Sequence, residues 1–306
     1  MKFLDFLILA VLFVLLGLSA YILWFNLPGK PVLYEKFQIS LNKNITLSSV
    51  QFYSNMRYRD RNINYSIADS CDTDRRNDVK KAFSIISEKT ILDFYETDEG
   101  FGEINILCSN IAPLPDERGH FVAGEGGPSE IINTTNFAVI FSGKVSLFRK
   151  NECEVPNVAI HEILHALGFD HNNNEDSIMY PITKCDQKID DYLVNVINEL
   201  YKFESYPDLA VEKVNANKTG VYLNFEITVA NLGLKNSPSS TLLIYENNEL
   251  LKDYPLDFID IGTKKILSVY NMRASRSTKN IVFEIKSIGN DLDIRNNKVE
   301  IKLIEA

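Results

Sequence analysis

The sequence contains little cysteine, little histidine and no excess of basic residues. Its 4 cysteines include no pair at CxxC spacing, which argues against a zinc knuckle or a thioredoxin-type redox site. With 32 basic and 41 acidic residues the net charge is −9, and without a basic stripe nothing would neutralise a nucleic-acid backbone. Only 14 glycines and 10 prolines accompany a hydrophobic content of 45%, which excludes a collagen-like or mainly disordered chain. Nucleic acid is therefore not expected as a partner, and 306 residues leave room for about two domains.

One long apolar run lies near the start of the chain. The twenty residues from Phe6 to Phe25 carry no charge, and at about 1.5 Å per residue such a helix would cross a hydrocarbon core of roughly 30 Å. Tyr21 and Trp24 suit the headgroup region. We therefore predict a signal anchor or transmembrane helix over residues 1–26, with a cytoplasmic N-terminus and the rest of the chain outside the cell. The alternative is a signal peptide cleaved after Leu18–Ala20 and a secreted protein.

The cysteines and the glycosylation sequons indicate an oxidising compartment. The even number of cysteines favours two disulfides, while the alternative is four reduced, buried cysteines in a cytosolic protein. Asn-x-Ser/Thr triplets permit glycosylation outside the cell. They begin at Asn44, Asn64, Asn133 and Asn217.

The middle of the chain alternates strand and helix patterns. Residues 27–49 are predicted as a linker and residues 50–205 as a domain of mixed α+β structure. Asn62–Ile67 has the period of a strand, and Asp72 or Asp74 can cap the helix that follows. The further predicted elements are strands at Ile91–Tyr95, Ile104–Cys108 and Phe137–Ser142, loop and edge material at Asp116–Ile131, and a last helix at Asp186–Phe203.

The composition and period change near Tyr206. Residues 206–306 contain about seven short strand-forming runs separated by Asn, Gly and Ser turns, which is typical of an all-β sandwich. This half has no histidine and no cysteine. It is expected to be a spacer or adhesion module that is dispensable for chemistry.

Three of the 4 histidines occur within one short segment. His161 and His165 have the i, i+4 spacing that aligns two imidazoles on one helix face, so both can bind one ion. Glu162 can hold and deprotonate a water without being a ligand. Gly168 lets the chain leave the helix at positive φ and return His171 as a third ligand. Three nitrogen ligands leave the fourth position of a tetrahedral zinc open, which indicates a catalytic rather than a structural site.

An alternative is a structural zinc site completed by a flanking cysteine, Cys153 or Cys185. A structural site has no use for a glutamate beside the first ligand or a glycine before the third. His120 is left outside the motif, and it is interpreted as a solvated loop residue or, alternatively, as a second metal ligand.

The segment from His161 to His171 fits H-E-x-x-H-x-x-G-x-x-H, and Ser177–Pro181 reads SIMYP with Met179 eight residues after His171. These two motifs resemble the metzincin zinc peptidases and, within them, the matrixins. The resemblance implies an α+β metzincin-type catalytic domain, a mixed twisted sheet with three helices. Asn172 departs from the pattern, because matrixins usually carry Ser after the third histidine.

The matrixin resemblance also implies roles for residues outside the zinc helix. It implies that Met179 supports the site from below, and that parallel first and third strands bring Cys71 close to Cys108. It also implies that Cys153, before the zinc helix, pairs with Cys185, just after the methionine turn, which is one of three possible pairings. It further implies that an extended substrate pairs with an edge strand, and that the chain after Met179 forms an apolar pocket wall. The candidate substrate-binding residues are Phe121, Val122, Ala123, Tyr180, Pro181 and Ile182.

The second half resembles the CARDB type of Ig-like domain. The resemblance rests on Pro207–Leu209, Val229–Gly233 and Arg295–Asn297, and it implies a β-sandwich at a cell surface without implying a ligand.

Together these observations predict a zinc endopeptidase acting on extracellular or cell-surface proteins. One catalytic Zn²⁺ and Glu162 would activate water. Calcium sites and the oligomeric state are left open. The alternative function is a surface adhesion protein with a vestigial metal site.

Overall fold

The computed structural model describes residues 3–26, 50–114 and 122–303. The predicted linker at 27–49 lies outside these ranges, as do the Asn44 sequon, His120 and Phe121. The chain divides into two units, residues 1–38 and residues 39–306. The second unit contains both the six-stranded sheet with the histidine segment and the all-β half.

The described elements alternate as predicted in the first half and are all strands in the second. The helices are α1 (Phe3–Asn26), α2 (Thr73–Lys89), α3 (Asn157–Ala166) and α4 (Asp191–Tyr201). The strands of the first half are β1 (Met56–Tyr58), β2 (Asn62–Ile67), β3 (Asp93–Glu96), β4 (Ile104–Cys108), β5 (Gly124–Asn133) and β6 (Ala138–Leu147). Those of the second half are β7 (Leu209–Thr219), β8 (Tyr222–Asn231), β9 (Ser240–Glu246), β10 (Glu249–Asp257), β11 (Lys264–Arg273), β12 (Asn280–Ser287) and β13 (Lys298–Lys302).

The prediction of an N-terminal transmembrane helix is not supported by the structure. Within the described ranges, no helix combines the length and the apolar character that crossing a membrane requires. The predictions of a single-pass membrane protein and of a membrane partner depend on that helix, and they are not supported either.

Helix α2 forms where the sequence predicts it. Asp72 is its N-cap and accepts a hydrogen bond from the Arg75 amide, which satisfies one of the amides that have no partner within the helix. The apolar positions at helical spacing are buried. They are Val79, Ala82, Phe83 and Ile86.

The six-stranded sheet is mixed. Its order is β1-β6-β4-β2-β3 with every pair on that path parallel, and β5 pairs antiparallel with β6 as an edge strand. Residues of α2, α3 and α4 share one hydrophobic core with the strands. This arrangement places the carboxyl end of β4, the start of β5 and the histidine helix near one another.

Both predicted disulfides form. Cys71 bonds to Cys108 and Cys153 bonds to Cys185, with Cα–Cα distances of 4.8 and 5.2 Å. The first bridge joins the chain after β2 to the end of β4, because those parallel neighbours end at the same sheet edge. The second closes the segment that contains α3 and Met179.

The second half has two sheets, ordered β10-β9-β12-β13 and β11-β8-β7. Alternate residues from both sheets meet in one core, where Phe225 and Phe283 pack with ring centroids 5.0 Å apart. Its seven strands agree with the number of strand-forming runs in the sequence.

The edge strand β5 differs from the sequence-based expectation. Asp116–Ile131 is rich in glycine, as turns are, yet Gly124–Asn133 is a strand. Its glycines allow close approach to α3 rather than chain reversal, and Pro128 is tolerated because an edge strand does not need every amide. Bulges interrupt the register between Pro128 and Ile131.

Candidate metal and catalytic site

The three histidines of the motif meet at one point. The Nε2 atoms of His161, His165 and His171 lie 3.0, 3.1 and 3.2 Å from one another. Tetrahedral zinc with Zn–N bonds of 2.0–2.1 Å requires nitrogens roughly 3.3 Å apart. Among the described residues, this is the group of ligand-type side chains placed to share an ion, and its geometry and chemistry fit zinc.

Main-chain carbonyls orient two of the rings. The Nδ1 of His161 lies 2.6 Å from the Ile178 carbonyl oxygen, and that of His165 lies 2.7 Å from the Phe169 carbonyl oxygen. Because a carbonyl can only accept, each Nδ1 must donate, which leaves Nε2 with a free lone pair for a metal.

Burial favours the neutral form of these imidazoles, most strongly for His161. Burial lowers the pKa of His161 to about 3, and His165 adds to that effect. The pKa values of His165 and His171 are also lowered, in both cases chiefly by burial. The neutral imidazole is the form that binds metal ions.

Gly168 makes the turn that returns His171 to the site. Its φ is +97°, and a Cβ there would press on the Met56 side chain. Glycine is therefore required at this position for two reasons: the backbone is left-handed, and a Cβ would occupy the space of the Met56 side chain.

Glu162 lies beside the edge strand. Its side chain is 7% exposed, and a Cβ built on Gly124 would be 2.6 Å from its Cγ. A Cβ on Gly126 would collide with the Glu162 carbonyl oxygen. Burial, together with the nearby Glu125 carboxylate, raises the pKa of Glu162 to about 8. These two glycines, which lie in the stretch predicted as loop and edge material, let β5 pass directly over the general-base candidate.

The turn containing Met179 is joined to the His171 loop by side-chain hydrogen bonds. Asn172 Nδ2 donates to Ser177 Oγ (2.8 Å), which donates to Asp190 Oδ2 (2.6 Å). Asp190 also caps α4 through the Leu193 amide. The Asn172 amide donates to the Met179 carbonyl. Asn172, the departure from the matrixin pattern, thus connects the third ligand to the turn. No motif in the sequence indicated that the side chains of Ser177 and Asp190 hold this turn.

A short segment before β1 also borders the site. Phe52 donates its amide to the Gly168 carbonyl and its ring stacks on that of His165 at 5.7 Å, while Gln51 bridges to Phe169. No motif signalled this segment, because its partners are over a hundred residues away.

The predicted substrate-binding residues are distributed around these elements. Phe121 lies outside the described residues, and Val122 and Ala123 directly precede β5, where the Ala123 carbonyl accepts from the Phe148 amide. Tyr180 follows the Met179 turn and is half-buried, whereas Pro181 and Ile182 are exposed. Their roles stay predictions.

The structural-zinc alternative has no ligand to complete it. Cys153 and Cys185 are bonded to each other, so neither sulfur is available as a thiolate ligand.

Comparisons with known proteins agree with this site. Residues 57–202 match the matrixin family model. The macrophage metalloelastase of Oryctolagus cuniculus is 31% identical over 139 residues, which are 40% of this chain and 28% of that protein. The chain thus matches less than a third of the length of this curated relative.

Solved structures similar to this chain include the CARDB domain of the PF1109 protein from Pyrococcus furiosus. Its crystal structure in complex with di-metal ions is 19% identical, has a TM-score of 0.27 and covers 32% of this chain and 90% of that one. Its solution NMR structure has the same identity and TM-score and covers 33% and 97%. At this TM-score the CARDB assignment stays a prediction. The family match and the histidine geometry fall on the same stretch, and residues 57–202 form a matrixin-like domain.

Proposed function

We propose that the chain is a zinc-dependent endopeptidase that hydrolyses peptide bonds of extracellular or cell-surface proteins. The proposal rests on the three Nε2 atoms that meet at one point. The Glu162 carboxyl lies on α3, the helix that also carries His161 and His165. The matrixin-like domain supports a metalloprotease, and its family supports protein substrates.

The chain's own residues would divide the work as follows. His161, His165 and His171 would hold the ion, which, when bound, supplies a Lewis acid that acidifies water and polarises the scissile carbonyl. Glu162 would accept the proton of the attacking water and pass it to the leaving amine. Its raised pKa would fall beside a dication, since a nearby positive charge favours the carboxylate. Met179, 1% exposed, would support the ligand loop from within the core.

Substrate binding is proposed at the edge strand. The start of β5 lies against Glu162, and among the described strands β5 pairs only with β6. An extended peptide could add to the free edge by main-chain hydrogen bonds. Val122 and Ala123 would continue that edge, and Tyr180–Ile182 would line the pocket beyond the scissile bond, where an apolar side chain is expected.

An extracellular setting is proposed from the disulfides. Two bridges account for all 4 cysteines, and such bridges persist in oxidising compartments. Secretion is compatible with this pattern.

The test is hydrolysis of casein by the zinc-loaded protein, with and without a chelator. Glu162→Gln should keep about one zinc per chain and lose about a thousandfold or more in kcat/KM, because only the proton transfer is removed. Glu152→Gln, an exposed position in the loop before α3, is the matched control and should retain full activity.

Wild-type protein that binds zinc but cleaves neither casein nor a peptide library would contradict the proposal. That result would favour the adhesion protein with a vestigial site. Substantial activity in zinc-loaded Glu162→Gln would instead contradict the assigned mechanism.

A further inference from the structure

The β-sandwich is packed against the sheet of the matrixin-like domain. A hydrophobic cluster separate from both main cores joins them, with Val139 and Leu234 fully buried and Ile261 2% exposed. The hairpin β5–β6 contributes Ile132, Phe137, Val139 and Phe141, and loops of the sandwich contribute Leu234, Ile261 and Leu292. The contact is therefore a buried apolar interface.

Polar contacts surround this cluster. Asn136, in the β5–β6 turn, donates to the carboxylate of Asp208 (2.8 Å), which also accepts from Asn296 and is 1% exposed. Lys235 pairs with Asp60 at the surface, 3.2 Å apart. Gly262 has φ +68° and leaves no room for a Cβ against the Ile132 side chain. Backbone and side chains are thus matched across the contact.

Hydrogen bonds from Arg57 also fix the residues directly before the second half. Arg57, 1% exposed, donates to the carbonyls of Leu200 and Phe203 and to the Ser205 hydroxyl, and its guanidinium stacks over Tyr201 at 4.4 Å. A flexible interdomain linker would lack such contacts.

The hairpin that receives the sandwich is the one that reaches Glu162. Ile132 and Asn133 lie at the sandwich end of β5, and Gly124 and Gly126 lie at the α3 end. β5 is paired with β6 along its length, but its first half is rich in glycine and bulges interrupt the register between Pro128 and Ile131. At its far end Ile132 packs in the interface with the sandwich.

We propose that the β-sandwich positions the edge strand β5 over α3 and thereby sets the affinity for extended peptide substrates. This inference rests on the proposed peptidase function. It assigns the second half a role in substrate binding through the hairpin, with no contact to the reacting atoms.

The experiment uses the full chain with Leu234→Ala and Ile261→Ala combined. The matched control combines Phe258→Ala and Ile266→Ala, which truncate two exposed apolar side chains of the same sandwich. Hydrogen exchange should become at least about fivefold faster in residues 124–133 of the first variant, and remain unchanged in residues 62–67. KM for a long peptide should rise at least about fivefold while kcat changes little, since the chemical groups are intact. The control should match the wild type in both.

A second variant guards against misfolding of the first. Asn136→Ala removes the hydrogen bond to Asp208 from a surface turn and should shift exchange and KM in the same direction by a smaller factor. Unchanged exchange in residues 124–133 in either folded variant overturns the proposal, as does faster exchange with an unchanged KM. An inactive, zinc-loaded wild type would contradict the peptidase function instead, and the exchange data would then decide alone whether the sandwich positions β5.

Discussion

Asn172 illustrates how single side chains outside the ligand set hold the site. It donates to Ser177, which donates to Asp190, so that the His171 loop, the Met179 turn and α4 are joined by two hydrogen bonds. His161 and His165 are oriented differently, by main-chain carbonyls. Groups that orient metal ligands contribute to metal affinity although they do not touch the ion.

Replacing Asn172 should weaken zinc binding. Asn172→Ala removes the side-chain hydrogen bond to Ser177 and leaves the main-chain bond to Met179, and we expect the zinc Kd to rise about tenfold to a hundredfold. Competition with a chromogenic chelator measures this. Asn173→Ala, at the exposed neighbouring asparagine, is the control, and equal affinities in the two variants would contradict the assignment.

At the scale of elements, the approach of β5 to α3 depends on glycine. Gly126 has no room for a Cβ against the Glu162 carbonyl, whereas nothing lies within 4 Å of a Cβ built on Gly127. The two neighbours in sequence therefore make opposite demands, since one strand face meets a helix and the other does not.

Gly126→Ala should accordingly destabilise the protein. Separating strand and helix should lower the free energy of unfolding by about 1–3 kcal/mol, as overpacking does. Gly127→Ala should change it by less than about 0.5 kcal/mol. Urea unfolding of both variants measures these free energies. Similar values would contradict the prediction, because they would mean that β5 can move away from α3 without loss of stability.

The two disulfides offer a comparison between elements of similar loop length. They span 37 and 32 residues, so loss of either should lower the free energy of unfolding by a similar amount, about 2–5 kcal/mol. Only the Cys153–Cys185 loop contains α3 and the Met179 turn. We expect Cys153→Ala with Cys185→Ala to weaken zinc binding clearly more than Cys71→Ala with Cys108→Ala. Chelator competition and urea unfolding measure the two effects, and equal zinc affinity would show that the second bridge does not support the site.

At the scale of the whole molecule, residues 39–306 form one unit. The apolar cluster and the Asn136–Asp208 hydrogen bond join its two halves, and Arg57 holds the end of the first half directly before the second begins. The expectation that the second half is dispensable for chemistry stays a prediction. The interface adds that the sandwich contacts the β5–β6 hairpin, so a role in substrate binding is compatible with that expectation.

Thermal unfolding should reflect this coupling. Calorimetry of the zinc-loaded protein is expected to show one main transition, because the halves share a buried cluster. The Leu234→Ala and Ile261→Ala double variant should broaden or split it. Two well-separated transitions in the wild type would show that the halves are independent.

The parts of this protein that depend on local spacing are predictable from the sequence. The i, i+4 histidines, Glu162 and Gly168 lie on one helix and its exit turn, so their pattern predicts their geometry. The same holds for the Asp72 cap and the strand Ile104–Cys108, and the matrixin resemblance added both disulfide pairings.

Features that depend on contacts between residues distant in sequence are visible only in the folded protein. Phe52 stacks on His165, and Gly126 adjoins Glu162. The glycine-rich sequence could not predict the second contact, because glycines at the same spacing occur both in turns and in strands that pack on a helix. The prediction of a membrane span from the long apolar run is wrong, because no helix among the described residues is long and apolar enough to cross a membrane. The sandwich packs on β5–β6 through single side chains such as Leu234 and Ile261. These residues lie in loops and form no periodic pattern in the sequence, so the contact could not be predicted from it.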